Sequence, residues 1–271
     1  MRRKKKSLMR RITFFIVILT AVFITFQFVY PDVSLLKKQN PKQTAMMEYR
    51  ENEWARKGKK YRIVQTWVPF RAISPYLVKA VLIGEDDKFW HHEGFDFEAM
   101  QKAVEKDITE RKFKFGGSTI SQQLAKNLYL SPSRNPMRKI REAIITWRME
   151  RSLSKKRILE IYLNIAEWGD HGIFGIEAAS RHYYGKPASA LGPEEAARLA
   201  AVLPNPRKFS PLADSRYVVH RSNLIYSIMV KRGIVVPDYE EINQDQDKAG
   251  SADRLPEAPP VSIKDLQPTS Q

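Results

Sequence analysis

The sequence has no cysteine, few histidines, a single long apolar run and too little acid for its base. Without cysteine there is no disulfide scaffold, no iron–sulfur protein and no thiolate-ligated zinc site. That absence does not choose a compartment, because a core of this size needs no disulfides. The five histidines, His91, His92, His171, His182 and His220, show no usual zinc-ligand spacing. One apolar run excludes a multi-span membrane protein. A charged fraction of 28% and a hydrophobic fraction of 43% over 271 residues exclude a collagen and a wholly disordered chain. Positive charge is in excess: 46 Lys and Arg against 30 Asp and Glu, a net +16. Such a surplus asks for an anionic partner: nucleic acid, a membrane surface or a phosphorylated substrate.

The surplus has two parts. Residues 1–31 hold seven basic residues and no acid, whereas 237–271 hold three basic and eight acidic residues. The middle, 32–236, keeps 36 basic and 22 acidic residues and is basic in its own right. The leader reads as a membrane signature. Ile12 to Tyr30 is 19 residues without a charge. As a helix it spans about 28 Å, close to the hydrocarbon thickness of a bilayer. The basic cluster Arg2–Arg11 precedes it and stays cytoplasmic, so the rest of the chain lies outside the cytoplasm. A cleaved signal peptide is the other reading, but the run exceeds the usual h-region and no small-x-small site follows. A protein facing outward meets little nucleic acid. It does meet anionic headgroups and lipid-linked pyrophosphates.

The expected organisation is a basic leader at 1–11, a transmembrane helix at 12–30, a charged connector at 31–60, a mainly α domain at 61–236 and a disordered, proline-bearing tail at 237–271. Tyr61–Val68 is the best strand candidate. Ser74-Pro75 reads as N-cap and N1 of a helix carrying Leu77, Val78, Val81, Leu82 and Ile83, apolar nearly all round and hence buried. Ser118 is positioned to cap a helix with Ile120, Leu124 and Leu128 on one face. Pro136 opens a helix with Ile140, Ile144 and Trp147 on its apolar stripe. Lys155–Asn164 and Glu194–Leu203 read as further helices.

Three clusters carry chemistry. Glu85-Asp86-Asp87 sits where a buried helix ends, so its carboxylates oppose the helix dipole. Burial raises a carboxylate pKa and suits a general base or acid; a solvated acidic turn is the plainer alternative. Gly116-Gly117-Ser118-Thr119 precedes a helix with Gln122, Gln123, Lys126 and Asn127, a possible anion seat or merely a capped amphipathic helix. Arg134, Arg138, Lys139 and Arg141 surround Glu142, which reads either as an anion site with an embedded carboxylate or as a surface ion pair.

The order and wording of these pieces is more specific than any one of them. Glu85 to Gly94 resembles E-D-x-x-F-x-x-H-x-G, the first motif of the peptidoglycan glycosyltransferases, glycosyltransferase family 51. GGSTISQQLAKN, Gly116 to Asn127, resembles the second motif, and Arg138-Lys139-Ile140-Arg141-Glu142 the third. Arg157 to Asn164 resembles the fourth and Arg198 to Pro204 the fifth. The likeness covers roughly residues 60–212.

The resemblance implies a lysozyme-like, mainly α glycosyltransferase domain beside a bacterial inner membrane, held by a single N-terminal transmembrane helix. It implies polymerisation of lipid II into β-1,4 glycan, with inversion at MurNAc C1 and release of undecaprenyl pyrophosphate. Glu85 is then the general base on the acceptor 4-hydroxyl. Glu142 is the second essential carboxylate and organises the donor side, with a divalent cation, Mg or Mn, and no organic cofactor. Asp86, Phe89, His92, Ser118, Thr119, Gln122, Gln123, Lys126, Asn127, Arg134, Arg138 and Lys139 are the implied substrate-binding set. Within it His92 reads best as a structural hydrogen-bonding residue. Glu160 and Asn164 read as scaffold. Phe113, Phe115 and Trp67 are aromatic candidates for dipping into the bilayer.

Implied partners are lipid II, the glycan strand, the membrane and other cell-wall synthesis proteins. Many relatives add a penicillin-binding transpeptidase domain, marked by S-x-x-K, S-x-N and K-[ST]-G. Here Ser152 to Lys155 and Ser133 to Asn135 match by letter in the wrong order, and no K-[ST]-G exists, so the likeness is to the monofunctional type. The rival readings are a membrane-tethered muramidase, which also needs two carboxylates, and a non-enzymatic basic scaffold.

Overall fold

Helix α3 (Pro75–Glu85) forms where Ser74-Pro75 marks its start, and it buries Leu77, Val78, Ala80, Val81 and Leu82. Ser74 does not cap it with its side chain. Its hydroxyl instead donates to the Leu191 carbonyl at 2.7 Å, tying the start of the helix to the turn before α9 (Pro193–Val202). The alanine-rich face of α9 lets α3 approach closely, and the two are each other's main neighbours. Gly84 serves the same fit: a Cβ there would stand 3.2 Å from Ile225 on α10 (Arg216–Lys231). The end of α3 that carries Glu85 is thus held by apolar packing on two sides.

This computed structural model describes residues 2–110, 117–132 and 135–235; for 2–8, 11, 23, 24, 26–28, 104 and 106–110 it describes the backbone alone. The chain divides into two units, Met1–Met229 and Val230–Gln271, and everything below lies in the first. The tail expected from Pro237 onward lies outside the described residues, as do Phe113, Phe115, Gly116 and Arg134.

The remaining helices are α1 (Arg2–Val29), α2 (Ala45–Arg56), α4 (Phe97–Glu110), α5 (Ile120–Tyr129), α6 (Pro136–Ser152), α7 (Lys155–Ile165) and α8 (Ile176–Tyr184). The domain is mainly α. Helix α7 is buried almost all round from Ile158 to Ile165 and forms the centre against which α5 and α8 pack. Ile120, Leu124 and Leu128 of α5 are buried as their spacing requires.

Three expectations need correction. The strand at 61–68 shrinks to β1 (Val64–Gln65), paired in parallel with β2 (Ile173–Phe174). One side chain replaces the missing strand partner. The Asn164 carboxamide accepts from Val68 N at 2.9 Å and donates to Val68 O at 2.9 Å, and Gln65 reaches the Asn164 carbonyl. The cap of α5 is Thr119, one residue later than Ser118, because Thr119 closes a capping box with Gln122.

On α6 the expected stripe points the wrong way. Ile140 and Trp147 are 52% and 45% exposed, while Glu142, Ile145, Thr146 and Met149 face inward. An apolar stripe read at helical spacing predicts burial only if nothing polar has partners inside, and Glu142 has them. Residues 31–60 hold helix α2. Met47 and Trp54 of α2 are buried, and Arg50 holds Glu167 with a two-pronged guanidinium contact at 2.8–3.1 Å.

Helix α1 covers the basic leader and the charge-free run, with Phe14, Phe15, Ile16, Val17, Leu19 and Val22 exposed. Among the described residues no helix is long and apolar enough to cross a membrane. The expected span at 12–30 includes positions 23, 24 and 26–28, whose side chains lie outside the described set. At its end, Arg148 of α6 donates to the Val29 carbonyl at 2.7 Å.

Candidate active site

Glu85 is the last residue of α3, and its side chain is 8% exposed. Its Oε2 accepts from Gln123 Nε2 at 2.9 Å. The Gln123 amide is itself oriented, because Tyr162 donates its hydroxyl to Gln123 Oε1 at 3.1 Å. On the other side Arg221 of α10 stands 3.4 Å from Glu85 Oε1 and donates to the Gly84 carbonyl at 2.7 Å. Burial raises the Glu85 pKa above the usual glutamate value, against the opposing pull of Gln123, Arg221 and Lys126. Desolvation is the larger effect, so Glu85 is a stronger base than an exposed glutamate. Burial also pushes the Tyr162 hydroxyl well above its ordinary range, so it stays a neutral donor.

Asp86 caps α3 and clamps the first two motifs together. Gly94 N donates to His92 Nδ1 at 3.1 Å, which leaves Nε2 as the protonated nitrogen. Nε2 then donates to Asp86 Oδ1 at 2.9 Å. Asp86 Oδ2 accepts from Ile120 N at 2.9 Å, an otherwise orphaned donor at the start of α5. Thr119 Oγ1 closes the ring on the Gly94 carbonyl at 2.7 Å. Gly94 sits at φ +90, and a Cβ there would come within 2.9 Å of both Thr146 and Glu150. Phe89 is fully buried behind this ring, with the Lys155 ammonium 4.5 Å from its centroid.

Glu142 is the second carboxylate, and it too is buried. Its own helix supplies both partners: Arg138 donates to Oε2 at 2.8 Å and Lys139 to Oε1. Lys139 also reaches Ser118 Oγ at 3.2 Å. Lys126 is near enough to both carboxylates for each to act on its charge. Burial lowers its pKa from the ordinary lysine value, and Arg138 and Lys139 push the same way, while Glu142 and Glu85 favour its charge. A cleft of about 280 Å³ opens beside Glu85, walled by Asp87, Lys88, Glu98, Lys102 and Ser118.

The structure therefore brings together Glu85, Gln123, Lys126, Ser118, Arg138, Lys139 and Glu142. Asp86, Phe89, His92, Thr119 and Gln122 sit behind them and spend their polar atoms, or in Phe89's case its ring, on the frame. Asn127 is half-buried on α5. Trp67 is half-buried under the Arg157 guanidinium at 5.4 Å. Asn164 is scaffold, as described, and Glu160 pairs with Arg157 at 2.7 Å.

Two neighbours of Glu85 were not singled out by sequence. Tyr162 lies within the fourth motif between the apolar Ile161 and Leu163, where its hydroxyl is the one polar signal. Arg221 has no local signal, being 136 residues from Glu85 and outside all five motifs. Among the described residues no group of three or more His, Asp and Glu side chains is gathered as a metal site. Both Glu142 oxygens already face cations, so these side chains do not form a ready-made cage for a divalent ion.

A profile of the family described as Transglycosylase matches residues 51–230. A protein named "Biosynthetic peptidoglycan transglycosylase" from Azoarcus sp. is 50% identical over 195 residues, 72% of this chain and 84% of that one. Its namesake in Dechloromonas aromatica is 53% identical over 170 residues, 63% of this chain and 73% of the relative. Another, in Nitrosospira multiformis, is 44% identical over 215 residues, 79% and 93% of the two chains. The matched range holds both buried carboxylates, the lysine whose charge they share and the hydrogen-bonded ring behind Glu85, and on that footing the chain is a member of the transglycosylase family.

Proposed function

We propose that this protein is a peptidoglycan glycosyltransferase that polymerises lipid II into β-1,4 glycan. The observation that carries the reading is Glu85: a buried carboxylate of raised pKa, fixed by an oriented amide, lining a cleft and sharing the charge of Lys126 with Glu142. The Glu85 carboxylate takes the proton of the acceptor 4-hydroxyl. The freed oxygen pair forms the new bond to MurNAc C1 from the face opposite the departing phosphate. The C1–O bond breaks, and its electrons pass to undecaprenyl pyrophosphate. Lys126, Arg138 and Lys139, with Arg134 by resemblance, stabilise that growing charge, so no acid is needed on the leaving group. Glu142 holds Arg138 and Lys139 in place for it.

A divalent cation of the Mg or Mn class belongs to this reading only as a companion of the substrate's diphosphate, bound mainly by phosphate oxygens and water. The partners are lipid II, the glycan strand, the membrane and, by resemblance, other cell-wall synthesis proteins. The charge-free run 12–30, its basic leader and the exposed apolar side chains of α1 support a single cytoplasmic-membrane anchor with the catalytic domain outside.

The test is full-length protein in detergent with labelled lipid II, its products sized beside those of Glu85→Gln. Long glycan from the wild type alone is the expected result, with lipid II binding kept in the variant. Turnover by Glu85→Gln removes Glu85 as base. Cutting of ready-made glycan without polymer would make the fold a hydrolase.

A further inference from the structure

Glu85 meets its surroundings on three sides, and among the described residues only one of them brings a full charge within ion-pair range. From α5 comes a neutral amide, Gln123, backed by the neutral Tyr162 of α7. Lys126, also on α5, acts on Glu85 only through space and is shared with Glu142. On the base's own segment, Asp86 is occupied by His92 and Ile120 N. From α10 comes Arg221, among the described residues the cation in ion-pair range of Glu85.

The Arg221 contact has a particular build. Nη2 donates to the Gly84 carbonyl at 2.7 Å and stands 3.4 Å from Glu85 Oε1. The firm bond is to the backbone and the loose one to the carboxylate. Nε is buried with no partner among the described residues, while the side chain as a whole is 30% exposed, so the guanidinium is only partly desolvated. A tight two-pronged pair would lock the carboxylate and cancel its basicity. A guanidinium held by a carbonyl and offset from the carboxylate steadies the ionised form and leaves Oε1 open.

We propose that Arg221, outside the five motifs, is a positioning residue for Glu85 that orients the carboxylate and keeps it ionised down to lower pH. This rests on the reading of Glu85 as the general base. A base works only when deprotonated, so turnover falls as pH drops through its folded pKa. Removing the cation moves that acid limb to higher pH.

The experiment measures kcat and KM for labelled lipid II across pH 5 to 9, on full-length wild type, Arg221→Gln and Arg221→Lys, with Glu85→Gln as control. Arg221→Gln is expected to move the acid limb up by about one pH unit, with KM within about twofold of wild type. Arg221→Lys keeps a charge and should recover most of the shift. A raised KM with an unmoved limb makes Arg221 a substrate ligand and overturns the proposal. A uniform loss at every pH, with lowered thermal stability, makes it merely structural and overturns it too. Should Arg221→Gln not fold, Arg221→Lys decides: a wild-type limb with reduced kcat supports positioning, and raised KM alone overturns it. Turnover retained by Glu85→Gln with the wild-type limb would instead remove the base assignment, whatever the Arg221 variants do.

Discussion

Glu85 and Glu142 are both buried glutamates within the field of Lys126, and they are built in opposite ways. Glu142 draws two cations from its own helix, one on each oxygen. Glu85 takes an amide on one oxygen and only a 3.4 Å guanidinium on the other, at the end of a helix whose dipole disfavours it. A carboxylate with a cation on each oxygen fixes those cations in place and has no free oxygen to offer. A carboxylate left short of charge is strained as an ion and takes a proton readily. Burial alone says nothing about role; the kind of partner on each oxygen does.

The sharpest way to break this contrast is Glu142→Gln. If Glu142 organises cations, kcat falls by about 10²–10³-fold while donor affinity holds or rises, because Arg138 and Lys139 are released toward the anionic substrate. Steady-state kinetics with a direct binding assay checks it, and a pure KM defect would contradict the role. Lys126→Met removes the charge both carboxylates share, and about a hundredfold loss of turnover is expected. Because Lys126 also lowers the Glu85 pKa, its acid limb should move upward with the loss. An unchanged limb would place Lys126 with Glu142 alone.

Tyr162→Phe is milder. It frees the Gln123 amide to turn, and a several-fold drop in kcat with little change in KM is expected from the same assay.

The smallest effect is in stability, where the two glutamates should differ in sign. A raised folded pKa means that folding disfavours the Glu85 anion, a cost present at neutral pH and absent once pH falls below the unfolded pKa. Glu85→Gln should therefore raise Tm by a few degrees near pH 7, and the gain should vanish in acid. Glu142→Gln breaks a buried ion pair and should lower Tm. Thermal melts at two pH values decide both.

The mainly α fold was legible because the signals were local: Ser74-Pro75 before an apolar run, and Ile120, Leu124 and Leu128 at helical spacing. The site was legible where a motif gathers its own members, as Arg138, Lys139 and Glu142 do within two helical turns. Legibility ended where a role is set by distant partners. Ile140 and Trp147 look like core until Glu142 takes the inner face. The strand at 61–68 gives way to one Asn164 side chain nearly a hundred residues on. Arg221 becomes visible only when α10 is laid beside α3.

The ring of Asp86, His92, Gly94, Thr119 and Ile120 also governs motion. Asp86 ends the helix that carries Glu85 and receives the first amide of the helix that carries Gln123. The base and its amide partner must then travel as one rigid body, and any opening of the cleft has to be taken up elsewhere, by α6 with its cations or by α10 with Arg221. Under the proposed function, the cations can shift with the substrate while Glu85 keeps its place against Gln123.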